Sequence, residues 1–154
     1  MPTKIRMTRG AIDNNIRWLV TALAYAGLLP MIICIFWLEQ LWSLPLLKAY
    51  SLAIVAFLAG AWWAFALMNQ QKTTPVSVRQ ILLISNAVVL TGVVSFAIAD
   101  QEALLVFSVL FGCLLLGERK LAVFRRQPNY YRKLRLVVTL VSISLQLTAY
   151  GLTR

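Results

Sequence analysis

Histidine is absent from the 154 residues, and cysteine occurs only twice. Without histidine there is no histidine-ligated haem, almost no route to a zinc or copper site, and no imidazole proton shuttle. Acidic residues number five against fifteen Lys and Arg, and charged residues make up only 13% of the chain. A soluble domain carries about a quarter. No Asp, Glu, Lys or Arg lies deep in any apolar run. Intramembrane charges mark proton relays and ion-coupled carriers, so those classes are disfavoured, while a passive pore or a lipid-handling site stays open. There is no Ser/His/Asp set, Walker loop, CxxC or pair of intramembrane carboxylates. The chain is expected to be no enzyme and to need no metal or cofactor.

Apolar length is what the chain has. Hydrophobic residues are 60% of it, in five runs at about 18–38, 49–68, 81–99, 103–117 and 136–152. About 20 residues cross the hydrocarbon core as helix, and long continuous runs exclude an alternating β-barrel. The expected fold is all-α: one integral-membrane domain, 1–154, a polytopic bundle of five transmembrane helices. The fourth run is short, so it should stand upright or thin the bilayer locally. Boundary signals agree. Thr73 and Thr74 precede Pro75, Ser43 precedes Pro45, Asp100 can cap the fourth helix with Glu102 in its first turn, and Pro128 opens the last. The Asp100–Glu102 turn is short enough to demand an antiparallel hairpin. The first run has a basic flank but is too long for a signal peptide and lacks a cleavage site.

Counting flanks gives an orientation. Lys4, Arg6, Arg9, Arg17, Lys72, Arg79, Arg119, Lys120, Arg125, Arg126, Arg132, Lys133 and Arg135 fall on one side, and only Lys48 and Arg154 on the other. The positive-inside rule predicts a cytoplasmic N-terminus and an external C-terminus. The same clustering at span ends argues against nucleic acid as the reason for the net charge of +10.

Within the spans, FLAGAWWAFAL (57–67) carries two adjacent tryptophans. On a helical wheel Ala49, Ala53, Ala56, Gly60 and Ala64 form a small-residue stripe of the kind that lets membrane helices approach closely. Trp63 lies at its edge and Trp62 points the other way. Trp63 is therefore expected to pack in the bundle and Trp62 to meet lipid or a partner. A ligand-site wall is the alternative. Tyr25, Trp63, Asn86 and Ser142 share a depth, with Gln146 near the midplane; interhelical hydrogen bonds or a small polar cavity would both explain them. Pro30 should kink the first helix and free the Ala26 carbonyl. Cys34 and Cys113 read as two buried small side chains, roughly 15 Å apart in depth and too far for a disulfide. The basic loop 118–135 holds Arg119, Lys120, Arg125, Arg126, Arg132, Lys133 and Arg135. These charges set topology or form a docking patch for anionic lipid, cardiolipin being a natural candidate, or for protein.

Three stretches together resemble a known family. They are LAYAGLLPM, FLAGAWWAFAL and YYRKLRLVVTLV. They are similar to a proteobacterial membrane domain of unknown function, itself similar to the mitochondrial inner-membrane transmembrane protein 69. In that resemblance Trp63 matches the signature tryptophan and Gly60 the second glycine, while Ala59 and Ala64 stand where the pattern tends to glycine, and Trp62 where a smaller or more polar residue is common. It implies a bacterial inner-membrane protein and no established biochemical role. The expected function is that of an accessory, scaffold or assembly subunit, with anionic lipids, other membrane proteins or a second copy as partners. A small transporter or lipid-binding protein is the alternative.

Overall fold

The computed structural model describes residues 3–68, 75–98, 100–121, 124 and 128–153, with side chains from 14 onward and, after 74, from 78 onward. The helices are α1 (Thr3–Ala26), α2 (Leu29–Phe36), α3 (Ser43–Met68), α4 (Pro75–Val94), α5 (Asp100–Lys120) and α6 (Asn129–Leu152). A 3-10 turn, Ser95–Ala97, follows α4, and the described residues contain no strand. Five helical stretches are long and apolar enough to cross a membrane: Asn14–Phe36, Ser43–Met68, Val78–Ala97, Asp100–Lys120 and Asn129–Leu152. The architecture is that of a multi-pass helical membrane protein.

The first crossing is two helices because Pro30 sits in the first turn of α2 and has no N–H to give. The chain breaks at Gly27–Leu28. The carbonyl that gains a side-chain donor is that of Gly27, one residue beyond the expected Ala26; Tyr50 Oη donates to it at 2.7 Å. At the far end of α2 the Ser43 hydroxyl donates to the Cys34 carbonyl.

The fourth crossing is not short. α5 has 21 residues because Asp100 and Glu102 join its first turn and Arg119 and Lys120 its last. Those charges complement the helix dipole at both ends, so the helix continues past the apolar run. Glu118 and Arg135, expected in a loop, therefore belong to α5 and α6. Thr73, Thr74 and Lys72 lie outside the described residues.

α3 is rotated relative to the small-residue expectation. Ala53, Ala56, Gly60 and Ala64 are exposed, and a methyl added at Gly60 would meet nothing within 4 Å. The inward face is Leu47, Lys48, Ser51, Val55, Leu58, Ala59, Trp62 and Ala66. Trp62 is 2% exposed and Trp63 40%, the reverse of the expected pair. The physical reason is polar. Lipid accepts a small or a large apolar side chain equally, but it cannot bond the Lys48 ammonium, the Ser51 hydroxyl or the Trp62 N–H. Those three groups turn inward and carry the face with them.

The main core joins α3, α4 and α5 through Val55, Leu58, Trp62, Ile81, Val88, Phe107, Phe111 and Leu114. Phe124 closes it, its ring 5.2 Å from Trp62 and 5.5 Å from Phe65. A smaller cluster of Met31, Cys34, Leu47, Leu104 and Ala149 joins α2, α3, α5 and α6. Cys34 is buried as expected, but Cys113 faces outward.

Gly117 on α5 gives the Trp62 indole its room. A methyl there would overlap Cη2 of that ring and lie 2.8 Å from Cζ2. Gly117→Ala should therefore cost about 1–3 kcal/mol as overpacking, read as a lower Tm in detergent. At Gly60 an added methyl meets nothing within 4 Å. Gly60→Ala should keep or raise the Tm, because alanine is the better helix former.

Candidate functional site

Buried polar groups gather at three levels of the bundle. At the end where α3 and α5 finish and α6 begins, Arg135 Nε donates to both Glu118 carboxylate oxygens at 3.1 and 3.2 Å, and Nη2 donates to Oε1 at 3.1 Å. Trp62 Nε1 also donates to Glu118 Oε1, at 3.2 Å. The Arg135 and Glu118 side chains are only 9% and 11% exposed. One carboxylate thus takes donors from α3 and α6 while standing on α5. The fork-shaped guanidinium suits this arrangement, since it satisfies both carboxylate oxygens at once.

In the middle, Gln146 is fully buried. Its Nε2 donates to Ser51 Oγ at 3.1 Å, and Ser51 donates onward to the Leu47 carbonyl at 2.7 Å. Ser108 Oγ lies 3.4 Å from Gln146 Oε1, but its closer acceptor is the Leu104 carbonyl at 2.9 Å. At the opposite end the buried Lys48 ammonium meets Asp100 Oδ1 at 2.7 Å and lies 5.0 Å from the Phe96 ring centroid. Gln101 Nε2 donates to the Thr153 carbonyl there.

The expected polar layer does not assemble. Gln146 and Ser142 are interior, Ser142 donating to the Val138 carbonyl at 2.9 Å. Tyr25 and Trp63 are exposed on the outside of α1 and α3. Asn86 is exposed on α4 and turns back to its own helix, donating to the Leu82 carbonyl at 2.9 Å. Similar depth grouped Tyr25, Trp63, Asn86 and Ser142, with Gln146 nearer the midplane, but azimuth separates them. The basic patch is also smaller than its sequence. Arg119, Lys120, Arg132 and Lys133 are exposed at one end of α5 and α6, whereas Arg135 is spent on Glu118. Arg125 and Arg126 lie outside the described residues.

The residues that sequence reasoning missed are Lys48, Ser51, Trp62, Glu118, Asp100 and Ser108. A signal existed on α3. Lys48, Ser51, Val55 and Trp62 recur at helical spacing on the side opposite the small residues, and only this side holds atoms that need partners.

Two hollows flank α6. A crevice of about 320 Å³ lies between α5 and α6 and is lined by Glu118, Arg119, Asn129, Arg132, Lys133 and Arg135, with Leu115 and Leu136. A groove of about 510 Å³ lies between α1, α3 and α6, largely apolar, with Phe111 of α5 among its lining residues. Next to its lining residue Tyr131, the Arg17 guanidinium lies over the Tyr130 ring at 5.2 Å. Among the described residues no three His, Cys, Asp or Glu side chains come together as a metal site.

The Glu118 cluster should govern stability. Arg135→Ala leaves a buried carboxylate without its cation and should cost about 3–5 kcal/mol in thermal unfolding. The apolar pair Glu118→Leu with Arg135→Met should recover most of that loss, because no buried charge remains. Gln146→Leu should cost less, about 0.6–1.7 kcal/mol, as expected for one hydrogen bond between membrane helices.

Neither a curated protein nor a solved structure matches this chain. The family described as "Protein of unknown function (DUF3429)" matches residues 16–150, most of the length, and the chain belongs to it.

Proposed function

We propose that this protein is a non-enzymatic accessory subunit of a membrane complex, working through contacts in the membrane plane. The observation that supports this reading is the outer face of α3. Ala56, Gly60 and Ala64 are exposed there, with Trp63 and Phe57 beside them at 40% and 76% exposure. Small residues in a membrane helix favour close approach by a second helix, and at Gly60 an added methyl would meet none of the described residues within 4 Å. The buried polar groups favour a structural role as well: Gln146, Glu118, Arg135 and Lys48 are engaged with partners in the protein.

The proposed setting is the bacterial inner membrane, with the N-terminus in the cytoplasm and the C-terminus outside. The unequal distribution of Lys and Arg between the two sets of span flanks supports that orientation. The resemblance to a proteobacterial membrane family and to mitochondrial transmembrane protein 69 is in keeping with it. Exposed Arg119, Lys120, Arg132 and Lys133 would then face the anionic inner leaflet. The second reading, a protein that handles lipid or a small molecule, draws its support from the groove beside α6.

Purification at native expression level, followed by mass spectrometry of retained proteins, tests the subunit reading. A stoichiometric membrane protein or a second copy is the expected result. Ala56→Leu with Gly60→Leu should abolish that association while the Tm of the isolated protein stays near wild type. Recovery of an unassociated monomer, or a variant that keeps its partner, would overturn the reading. A reporter fused after Arg154 should read as external, and a cytoplasmic signal would reverse the orientation.

A further inference from the structure

The groove between α1, α3 and α6 has one feature that packing does not explain. Its α1 and α3 walls are mostly apolar, Leu23, Ala53 and Phe57 among them. Its α6 wall carries Tyr131, Arg135, Thr139 and Ser142 in a line running away from the basic end. Thr139 is 2% exposed, and its Oγ1 has no hydrogen-bond partner. Other hydroxyls in these helices, those of Thr21, Ser51, Thr91, Ser108, Ser142 and Thr148, donate to the carbonyl four residues back. Among the described residues Thr139 Oγ1 is the one buried side-chain N or O atom left unpaired. A buried hydroxyl without a partner is costly and calls for an acceptor.

Depth and charge indicate which acceptor. From Tyr131 to Ser142 the wall runs roughly 16 Å at helical rise, about half of a hydrocarbon core of about 30 Å. That is one leaflet. Thr139 lies one helical turn deeper than Arg135, about 6 Å along the axis. The glycerol ester carbonyls of a phospholipid lie a few bonds below its phosphate. Arg17 is exposed about one turn from Val20 of the α1 wall, toward the basic end. Arg119, Lys120, Arg132 and Lys133 are exposed at the same end, where Glu118 is held by Arg135.

We propose that the groove holds one acyl chain of an anionic phospholipid, its ester carbonyl accepting a hydrogen bond from Thr139 Oγ1 and its headgroup directed toward the basic end, where Arg17 is exposed. The site shares Phe57 with the outer face of α3 but needs no protein there, and it does not depend on which side of the membrane the basic end occupies. It can therefore stand if no protein partner is found, and it can fail while the subunit reading holds.

Native mass spectrometry of the full chain tests it, with phosphatidylglycerol, phosphatidylcholine of the same chains, and the diether analogue of phosphatidylglycerol as probes. Phosphatidylglycerol should bind several-fold more tightly than either of the others. Thr139→Val, which removes the hydroxyl at constant shape, should weaken the diester about 3–10-fold, the range of one hydrogen bond. It should leave binding of the diether unchanged, and that non-additivity separates a hydrogen bond from a change in packing. Arg17→Ala should erase the preference over phosphatidylcholine. Ala53→Phe should fill the groove and displace all three lipids. Equal binding of diester and diether to wild type, or Thr139→Val binding phosphatidylglycerol like wild type, would overturn the proposal. So would equal retention of phosphatidylcholine.

Discussion

Glu118 accepts hydrogen bonds from Trp62 on α3 and Arg135 on α6 while standing on α5. All three groups are largely buried, and a buried polar group left unpaired is costly, so the helices that carry them meet at that end of the bundle. The opposite end repeats the arrangement with Lys48 on α3 and Asp100 on α5, and Gln146 ties α6 to α3 between them. α3 is therefore held at three levels, and its rotation about its own axis follows. The apolar core then fills in around that rotation. Trp62 turns inward with its N–H and is accommodated because Gly117 stands opposite the ring.

This order of causes differs from that of a soluble helical protein. In water an amphipathic helix turns its apolar face inward, and the size of the moment says which face it is. In lipid both faces of α3 are apolar enough to be tolerated outside, and van der Waals contact alone separates them weakly. A few polar atoms then carry the decision. They include charged groups near helix ends, where a count of deep intramembrane charges does not look. Lys48, Glu118 and Arg135 all sit within about a turn or two of an end of their helices, yet all are largely buried.

α1 is held differently. Its main neighbour is α6, and it meets α3 through the hydrogen bond from Tyr50 to the Gly27 carbonyl, at the break that Pro30 imposes. Between those two attachments it stands away from α3, and the groove is the space left over. The fold thus has a tight unit of α3, α5 and α6, with α4 packed on α3, and one crossing propped against it. The wall of that space carries the unpaired Thr139 hydroxyl.

Five crossings, the break near Pro30 and the basic end of the bundle were all legible in the chain, because each rests on a local property: apolar run length, a missing N–H, a cluster of like charges. The same logic took both cysteines as buried and held only for Cys34, because which side of α5 Cys113 faces is a matter of azimuth. The run 103–117 was read too short because it was measured by apolar residues, whereas the dipole carries α5 on through its charged termini; the last helix extends beyond 136–152 at its start, where Pro128 had marked the opening. Azimuth was not legible. Tyr25, Trp63, Asn86, Ser142 and Gln146 share depths that sequence spacing can report, but the direction each one faces depends on which distant polar atom its helix must satisfy. Glu118 to Trp62 and Lys48 to Asp100 are pairings across more than fifty residues. Such pairings exist only once the helices are assembled, and so the choice between Trp62 and Trp63 belonged to the bundle and not to FLAGAWWAFAL.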